Sequence, residues 1–243
     1  MSEIRRKLES NVHIIAVIPA YNEEKSIPLV LAELPKNWVR EVVVCDNNSS
    51  DRTAEVAKNA GATVVFQPRR GYGNACLKGL EYIKNLSQPP DIVVFIDADY
   101  SDYPEELPKL VMPILEQNMD MVIGSRALGN LERGAMTIPQ IFGNWLATRL
   151  IRWIFGYRFT DLGPFRAIRY EKLVSLDMQD KNFGWTVEMQ IKAAKMKFNC
   201  VEIPVSYRRR VGVSKISGTV KGTILAGHKI IWTILKNINF AKK

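Results

Sequence analysis

Residues 92–99 have the sequence Ile-Val-Val-Phe-Ile-Asp-Ala-Asp, in which an apolar run ends in two aspartates separated by one alanine. A strand made almost wholly of valine, isoleucine and phenylalanine is typical of a parallel sheet, which is buried on both faces. Asp97 and Asp99 would then lie at a carboxyl end, where open α/β sheets bind ligands. Two such carboxylates can hold a hard divalent cation, which can in turn bind a diphosphate. The alternative is an acidic turn that includes Asp102 and binds no ion.

The segments on either side of this strand alternate between strand and helix patterns. Strands are predicted at 12–18, 41–45, 62–67, 92–97 and 121–125, and helices at 25–34, 51–60, 72–86 and 104–118. This alternation predicts an α/β fold with a doubly wound, mostly parallel sheet flanked by helices. It stops after Ser125, so we expect one domain (1–243) with a first half at 12–125, a second at 126–215 and a basic amphipathic tail at 216–243.

The chain of 243 residues carries a net charge of +9, and the whole excess lies near its end. Residues 1–202 hold 25 basic and 25 acidic residues, and the nine basic residues after Glu202 are accompanied by no acid. Such a tail suits phosphates, nucleic acid or an anionic membrane, although a solvated basic face is the plainer alternative. No recognised nucleic-acid module is visible, so we expect no nucleic-acid partner.

Cysteine usage and hydropathy point to a cytoplasmic setting. The three cysteines are widely spaced and lack the spacing of metal ligands, which favours a reducing compartment. The first eleven residues are too polar for a signal peptide. No apolar run reaches the roughly 18 residues that a membrane span needs.

Polar segments follow two further predicted strands and should meet Asp97 and Asp99 at the same sheet edge. Residues 19–24 are Pro-Ala-Tyr-Asn-Glu-Glu, and residues 45–51 are Cys-Asp-Asn-Asn-Ser-Ser-Asp, where Asp46 could accept from a base or from ribose hydroxyls. Gly-Tyr-Gly-Asn at 71–74, behind two arginines, opens a helix whose first amides could position an anion. A tight helix entry would require the same glycines.

In this order and spacing, these segments resemble glycosyltransferase family 2. Ile-Gly-Ser-Arg at 123–126, Thr-Asp-Leu-Gly-Pro-Phe-Arg at 160–166 and Arg-Val-Gly-Val-Ser-Lys at 210–215 are similar to segments of the dolichyl- and polyprenyl-phosphate sugar transferases. The resemblance covers residues 14–215. It implies a GT-A fold, a UDP- or GDP-linked sugar donor, Mg²⁺ or Mn²⁺, inversion at the anomeric carbon, and transfer to a lipid phosphate.

The resemblance also implies roles for individual residues. Asp97 and Asp99 would organise the metal and the diphosphate, with Asp99 as the more direct ligand. Arg126 would face the acceptor phosphate, and Lys215 with a nearby arginine would close over the phosphates. The remaining residues expected to bind the donor are Pro19, Tyr21, Glu23, Asp46, Arg70 and Gly71.

The acceptor decides whether a general base is needed. A phosphate monoester is largely dianionic at pH 7 and can attack without one, but it needs cations, for which Arg126, Arg166 and the group 208–210, including Arg210, are available. A hydroxyl acceptor would require a carboxylate base, for which Asp161 and Glu188 are the candidates. Glu188 could instead pair with a lysine four residues later on a helix. A nucleotidyltransferase, which would release pyrophosphate, is a third possibility.

Two segments combine apolar residues at helical spacing with basic residues. Residues 138–154 contain isoleucine, leucine, phenylalanine and two tryptophans, and residues 224–238 repeat this pattern with lysines. Such helices suit a bilayer interface and predict peripheral contact with the inner face of a membrane. Packing onto the sheet or burial in an oligomer would also account for these stripes, and the sequence leaves the oligomeric state open.

Overall fold

The computed structural model of the chain describes residues 12–212 and 220–238. Its centre is a seven-stranded sheet in the order β3-β2-β1-β4-β6-β5-β7. The strands are β1 (Ile14–Ala20), β2 (Glu41–Asp46), β3 (Thr63–Phe66), β4 (Ile92–Phe95), β5 (Met121–Ser125), β6 (Arg166–Arg169) and β7 (Cys200–Pro204). The helices are α1 (Ile27–Glu33), α2 (Thr53–Asn59), α3 (Tyr72–Lys84), α4 (Leu107–Glu116), α5 (Ile138–Phe155), α6 (Tyr170–Ser175), α7 (Trp185–Lys195) and α8 (Val220–Lys236).

The two central strands β1 and β4 are apolar and completely buried. They pair in parallel, with Val17 opposite Phe95, and β2 continues the parallel arrangement with Ala20 opposite Asp46. Helices cover both faces, which gives one apolar core on each side of the sheet. The predicted α/β fold with a mostly parallel sheet flanked by helices is therefore confirmed.

One strand, which was not predicted from the sequence, is antiparallel to its neighbours. β6 lies between β4 and β5 and is antiparallel to both, so that Arg166 is opposite Phe95 on one side and Ile123 on the other. Because of this reversal, the amino end of β6 meets the carboxyl ends of its neighbours. Residues 160–165, which precede β6, are thereby carried to the sheet edge that holds Asp97.

The long helix α5 has clear signals at both ends. Thr137 and Gln140 form a reciprocal capping box at its start, and Gly156 ends it in the left-handed conformation with φ of 70°. α5 packs against α7 and α8. Of the predicted tail 216–243, α8 and residues 237 and 238 are described, and the rest lies outside the described residues.

None of the helices that the structure describes has both the length and the apolar character needed to cross a bilayer.

Candidate active site

A cavity of about 310 Å³ lies at the carboxyl ends of β1, β2 and β4. Most of the residues predicted to bind the donor line it, together with Arg210 from the group predicted to hold the acceptor phosphate, although they come from distant parts of the chain. They are Pro19, Tyr21, Glu23, Arg70, Gly71, Asp97, Asp99 and Arg210. The Arg70 guanidinium lies 4.4 Å from the centre of the Tyr21 ring at this cavity, a cation–π contact that gives it an aromatic, positively charged wall.

Asp97 is held in the cavity wall by the helix entry that the sequence singled out. The Tyr72 hydroxyl, at the start of α3, donates to Asp97 Oδ1 at 2.9 Å. Burial and the nearby charge of Asp99 raise the pKa of Asp97 to about 7, against the opposing effects of Tyr72, Arg210 and Arg126. A cation bound between the two carboxylates would relieve this repulsion.

Asp99 is connected to the end of β1 through an arginine. Its Oδ2 lies 3.1 Å from Arg210 Nη1, while Arg210 Nη2 donates to Glu23 Oε1 at 2.8 Å. The backbone N–H of Ser101 donates to the second oxygen of Asp99 at 3.0 Å. The guanidinium therefore joins two walls of the cavity beside the acid pair.

The acid pair fits a hard divalent cation whose coordination is completed by the substrate. The oxygens of Asp97 and Asp99 are the ligand type that Mg²⁺ prefers, and Mg²⁺ sites often use one or two carboxylates together with substrate phosphates and water. Among the described residues, no group of three or more histidine, cysteine, aspartate or glutamate side chains could hold a metal by itself. The donor set therefore matches a metal–diphosphate site better than a closed structural metal site.

A second cavity, of about 290 Å³, adjoins the first. Both are lined by Tyr72, Asp97, Asp99, Phe183 and Arg210, so the acid pair lies in the region they share. The far side of the second cavity is formed by Arg126 and Tyr207, by Gly227 and Ile230 of α8, and by four residues at the start of α5, which are Pro139, Gln140, Gly143 and Asn144. Two ligands bound in these cavities would meet at Asp97 and Asp99.

Arg126 is oriented in the second cavity by Asp161. Its Nε and Nη2 donate to the two oxygens of Asp161 at 2.8 and 2.7 Å, and its backbone N–H donates to the same carboxylate at 2.7 Å. Asp161 is 1% exposed. Glu202 on β7 fixes the loop by accepting from the backbone N–H groups of Thr160 and Asp161 at 2.8 to 3.0 Å. Asp161 therefore lies in position to hold Arg126 rather than to face a substrate.

Two residues expected to contact substrate are engaged elsewhere. Arg166 is fully buried and donates to the carbonyls of Leu162, Gly163 and Thr186, and burial lowers its pKa to about 10. It lines neither cavity, and its guanidinium is held inside the protein by the hydrogen bonds to those carbonyls. Arg166 is thus a structural arginine in this arrangement.

Glu188 also lies away from both cavities. Its carboxylate accepts from the backbone N–H groups of Gln179 and Asp180 at 2.7 to 3.1 Å and pairs with Lys192 at 2.8 Å. The lysine pairing considered from the helical spacing is confirmed. Glu188 anchors the loop 177–184 and does not reach a substrate in either cavity.

The structure does not bring Asp46 to the cavity. Asp46 is 4% exposed, accepts from the backbone N–H of Ser49 at 3.3 Å and does not line the first cavity, whereas its neighbour Asn47 does. Asn47 Oδ1 accepts from the backbone N–H of Gly71 at 2.7 Å and so fixes the start of α3. Lys215 lies outside the described residues.

Several cavity residues were missed by the sequence analysis. Tyr72 lies inside the Gly-Tyr-Gly-Asn segment 71–74 and Asn47 directly follows Asp46, so both belong to motifs that predicted this site through other residues. Asn182 and Phe183 had no such signal. They come from the loop before α7, whose backbone carbonyls accept from the N–H groups of Gly73 and Asn74 at 3.2 and 3.0 Å.

Similarity to known sequences agrees with this geometry. An uncharacterized glycosyltransferase of Mycobacterium tuberculosis is 37% identical over 221 residues, which are 88% of this chain and 94% of that protein. A dolichyl-phosphate hexose transferase of Haloferax volcanii is 32% identical over 92% of this chain and 94% of its own. An undecaprenyl-phosphate mannosyltransferase of Micrococcus luteus is 30% identical over 87% of this chain and 90% of its own.

Among solved structures, glucosyl-3-phosphoglycerate synthase from Mycobacterium tuberculosis in complex with Mn²⁺, UDP-glucose and phosphoglyceric acid superposes with a TM-score of 0.78. It is 23% identical, and the match covers 96% of this chain and 82% of that one. This likeness confirms the expected GT-A fold. The profile of Glycosyl transferase family 2 matches residues 15–176, and together with the relatives it shows that the chain belongs to glycosyltransferase family 2.

Proposed function

We propose that this chain transfers a sugar from a nucleoside diphosphate to a polyprenyl- or dolichyl-type phosphate at a membrane surface, with inversion at the anomeric carbon. One observation carries the proposal: two adjoining cavities share a wall that contains Asp97 and Asp99. The first would hold the donor, with its sugar–phosphate bond near the acid pair. The second would hold the acceptor, with its attacking oxygen directed towards the same point.

On the donor side, Asp97 and Asp99 would hold Mg²⁺ or Mn²⁺ against the diphosphate. When bound, the ion would stabilise the negative charge that develops on the departing nucleoside diphosphate. Arg210, 3.1 Å from Asp99, adds positive charge on the same side. The solved neighbour with bound Mn²⁺ and UDP-glucose supports this assignment. The assay described below compares UDP- and GDP-linked donors.

On the acceptor side, the candidate carboxylates all have other partners or roles, which favours a phosphate acceptor over a hydroxyl acceptor that would need a base. Asp97 and Asp99 are the only acids among the described residues that line the second cavity, and both are assigned to the metal. Asp161 and Glu188, the candidate bases, are engaged with Arg126 and with backbone N–H groups. A phosphate, ionised at pH 7, needs no base to attack, and Arg126 offers it a cation. The lipid-phosphate relatives support the same acceptor class.

The lipid part of the acceptor is supported by exposed apolar side chains on α5 and α8, two helices that contribute residues to the second cavity. Ile138, Phe142 and Trp145 on the first turns of α5 are 83%, 59% and 50% exposed. Trp232 and Leu235 on α8 are 55% and 48% exposed. Exposed aromatic and aliphatic residues among basic ones are typical of helices that lie in a bilayer interface. The proposal includes peripheral attachment at the cytoplasmic, inner face of the membrane.

A transfer assay with three acceptors tests the proposal. The protein, Mn²⁺ and labelled UDP- and GDP-sugars are incubated with a polyprenyl phosphate, with the matching polyprenol, or with 3-phosphoglycerate. We expect a labelled lipid product from the polyprenyl phosphate alone, together with release of nucleoside diphosphate and no pyrophosphate.

Asp99→Asn should lower this transfer by about 100-fold, because it removes one of the two carboxylates assigned to the ion. Equal transfer to the polyprenol would show that a hydroxyl acceptor is used. Transfer to 3-phosphoglycerate alone would favour a water-soluble acceptor, the second candidate, which the phosphoglyceric acid bound to the solved neighbour supports.

A further inference from the structure

The loop 177–184 forms part of the wall of the first cavity and is attached to the rest of the protein on two sides. Its residues Asn182 and Phe183 line that cavity. On one side, two backbone carbonyls of the loop accept from the N–H groups of Gly73 and Asn74 at the start of α3, at 3.2 and 3.0 Å. A displacement of the loop would therefore change the shape of the first cavity.

On its other side, the loop is attached to α8 through Asp180. Asp180 Oδ1 accepts from the backbone N–H groups of residues 182 and 184 at 2.7 and 3.1 Å, which fixes the turn of the loop. Its Oδ2 lies 2.8 Å from Lys229 Nζ, and the side chains of Asp180 and Lys229 are 7% and 35% exposed. A carboxylate buried to this extent depends on its cation, so the loop depends on a lysine of α8.

α8 packs closely against the end of the loop at the same point. Thr233, one turn after Lys229, is almost fully buried, and its neighbour Ile234 is completely buried. A Cβ on Gly184, the last residue of the loop, would collide with Thr233 Oγ1 and with Asp180 Oδ2. Because the helix and the loop leave no space between them here, a movement of α8 would be transmitted to the loop.

Lys229 does not itself reach either cavity at the acid pair. It lines neither of them, although Gly227 and Ile230 on the same turn of α8 line the second. An effect of Lys229 on a ligand in the first cavity must therefore pass through Asp180 and the loop. This arrangement separates a positioning role from direct contact with the ligand.

We propose that Lys229 is a positioning residue for the donor. Through Asp180 it holds Asn182 and Phe183 in the places where they shape the nucleotide site. The inference rests on the proposed function, which assigns the nucleoside diphosphate to the first cavity. It gives α8 a part in donor binding in addition to its place in the wall of the second cavity. Without the lysine, Asp180 keeps its two backbone N–H donors, so the loop would loosen rather than unfold.

Calorimetric titration of the full chain with UDP and with GDP, in saturating Mn²⁺, tests this inference. Lys229→Gln should bind the nucleotide about fivefold more weakly, which is the lower end of the usual coupling between separate sites. Lys229→Arg keeps the charge and should retain most of the affinity. Lys172→Gln is the matched control, because Lys172 is also 35% exposed and pairs at 3.4 Å with Asp120, whose side chain is 12% exposed. Neither Lys172 nor Asp120 lines the first cavity, so this control should bind like the wild type.

A double-mutant cycle shows whether Lys229 acts through Asp180. Asp180→Asn keeps an oxygen for the backbone N–H groups but removes the charge, so adding Lys229→Gln to it should cause little further loss of nucleotide affinity. Additive losses would overturn the inference, as would equal nucleotide affinities of Lys229→Gln and Lys172→Gln. Failure of the wild type to bind either nucleotide would instead contradict the proposed function, and this inference with it.

Discussion

Asp102 is a buried carboxylate that has no role in the proposed chemistry. It is 1% exposed, and neither of its oxygens has a hydrogen-bond partner among the described residues. Burial, followed by the charges of Asp97 and Asp99, raises its pKa well above the ordinary value, while Arg126 opposes the shift. In the metal-free protein, Asp102 therefore remains protonated at a pH where the unfolded chain has lost that proton.

This difference predicts how stability depends on pH. The folded state holds one more proton than the unfolded state above pH of about 4, so Asp102 lowers the free energy of unfolding by up to about 1.4 kcal/mol per pH unit until its own folded pKa is reached. Asp102→Asn removes this penalty. Urea unfolding in EDTA at pH 5 and pH 6.5 measures the free energy of unfolding of both proteins. The difference in favour of Asp102→Asn should be larger at pH 6.5. A constant difference between the two proteins would mean that Asp102 is ionised in the folded state.

Substitution of Asp161 distinguishes a role in positioning Arg126 from a role as the catalytic base. Asp161→Asn would leave the mostly buried Arg126 without its carboxylate, which should cost about 3 kcal/mol of unfolding free energy. In Arg126→Gln/Asp161→Asn no charge is left without a partner, so we expect the double variant to recover part of that loss. Chemical denaturation measures both. A single variant as stable as the wild type, but inactive with every acceptor, would instead favour Asp161 as a base.

At the scale of elements, the entry of α3 depends on a close approach that only glycine permits. A Cβ on Gly73 would lie 1.9 Å from the carbonyl oxygen of Asp180, so Gly73→Ala must push the loop 177–184 away from the first cavity. We expect nucleotide binding to weaken about tenfold, for a repacking cost of about 1–3 kcal/mol. Gly143→Ala is the matched control, since its added methyl group meets nothing within 4 Å. Calorimetric titration with UDP and Mn²⁺ compares the two; equal affinities would show that the loop does not shape the nucleotide site.

The same loop shows where prediction from sequence ends. Strands such as β1, β2 and β4 were predictable, because an unbroken apolar run fixes both their type and their burial. β6 was not, because its four residues Arg-Ala-Ile-Arg show no strong strand pattern and pairing direction is set by the whole sheet. Asp97 and Asp99 could be found from their place at the end of an apolar strand. Asn182 and Phe183 reach the cavity through tertiary packing alone, so no local sequence pattern predicts their place there.

At the scale of the whole molecule, the stripe predicted at 138–154 divides between two roles. In the second half of α5, Leu150 and Ile154 of this stripe pack against the core, whereas Trp153 is 84% exposed. Ile138, Phe142 and Trp145, in the first half, are exposed on the part of α5 whose Pro139, Gly143 and Asn144 line the second cavity. Burial in the core therefore accounts for part of the predicted stripe, and the exposed side chains are the ones that the proposed membrane contact would use.

Two phenylalanines with nearly equal exposure allow that contact to be tested. Phe142 on α5 is 59% exposed and Phe66 on β3 is 56% exposed, so replacing either with serine removes a similar apolar area. If the start of α5 enters the bilayer interface, Phe142→Ser should weaken co-sedimentation with anionic vesicles by about fivefold, because the ring no longer leaves water. Phe66→Ser should leave vesicle binding unchanged, since β3 is at the far edge of the sheet. Equal vesicle binding by both variants would show that Phe142 does not contribute to membrane contact. Light scattering without lipid is the control for self-association. A change of mass in Phe142→Ser alone would assign this face to contact between copies of the chain.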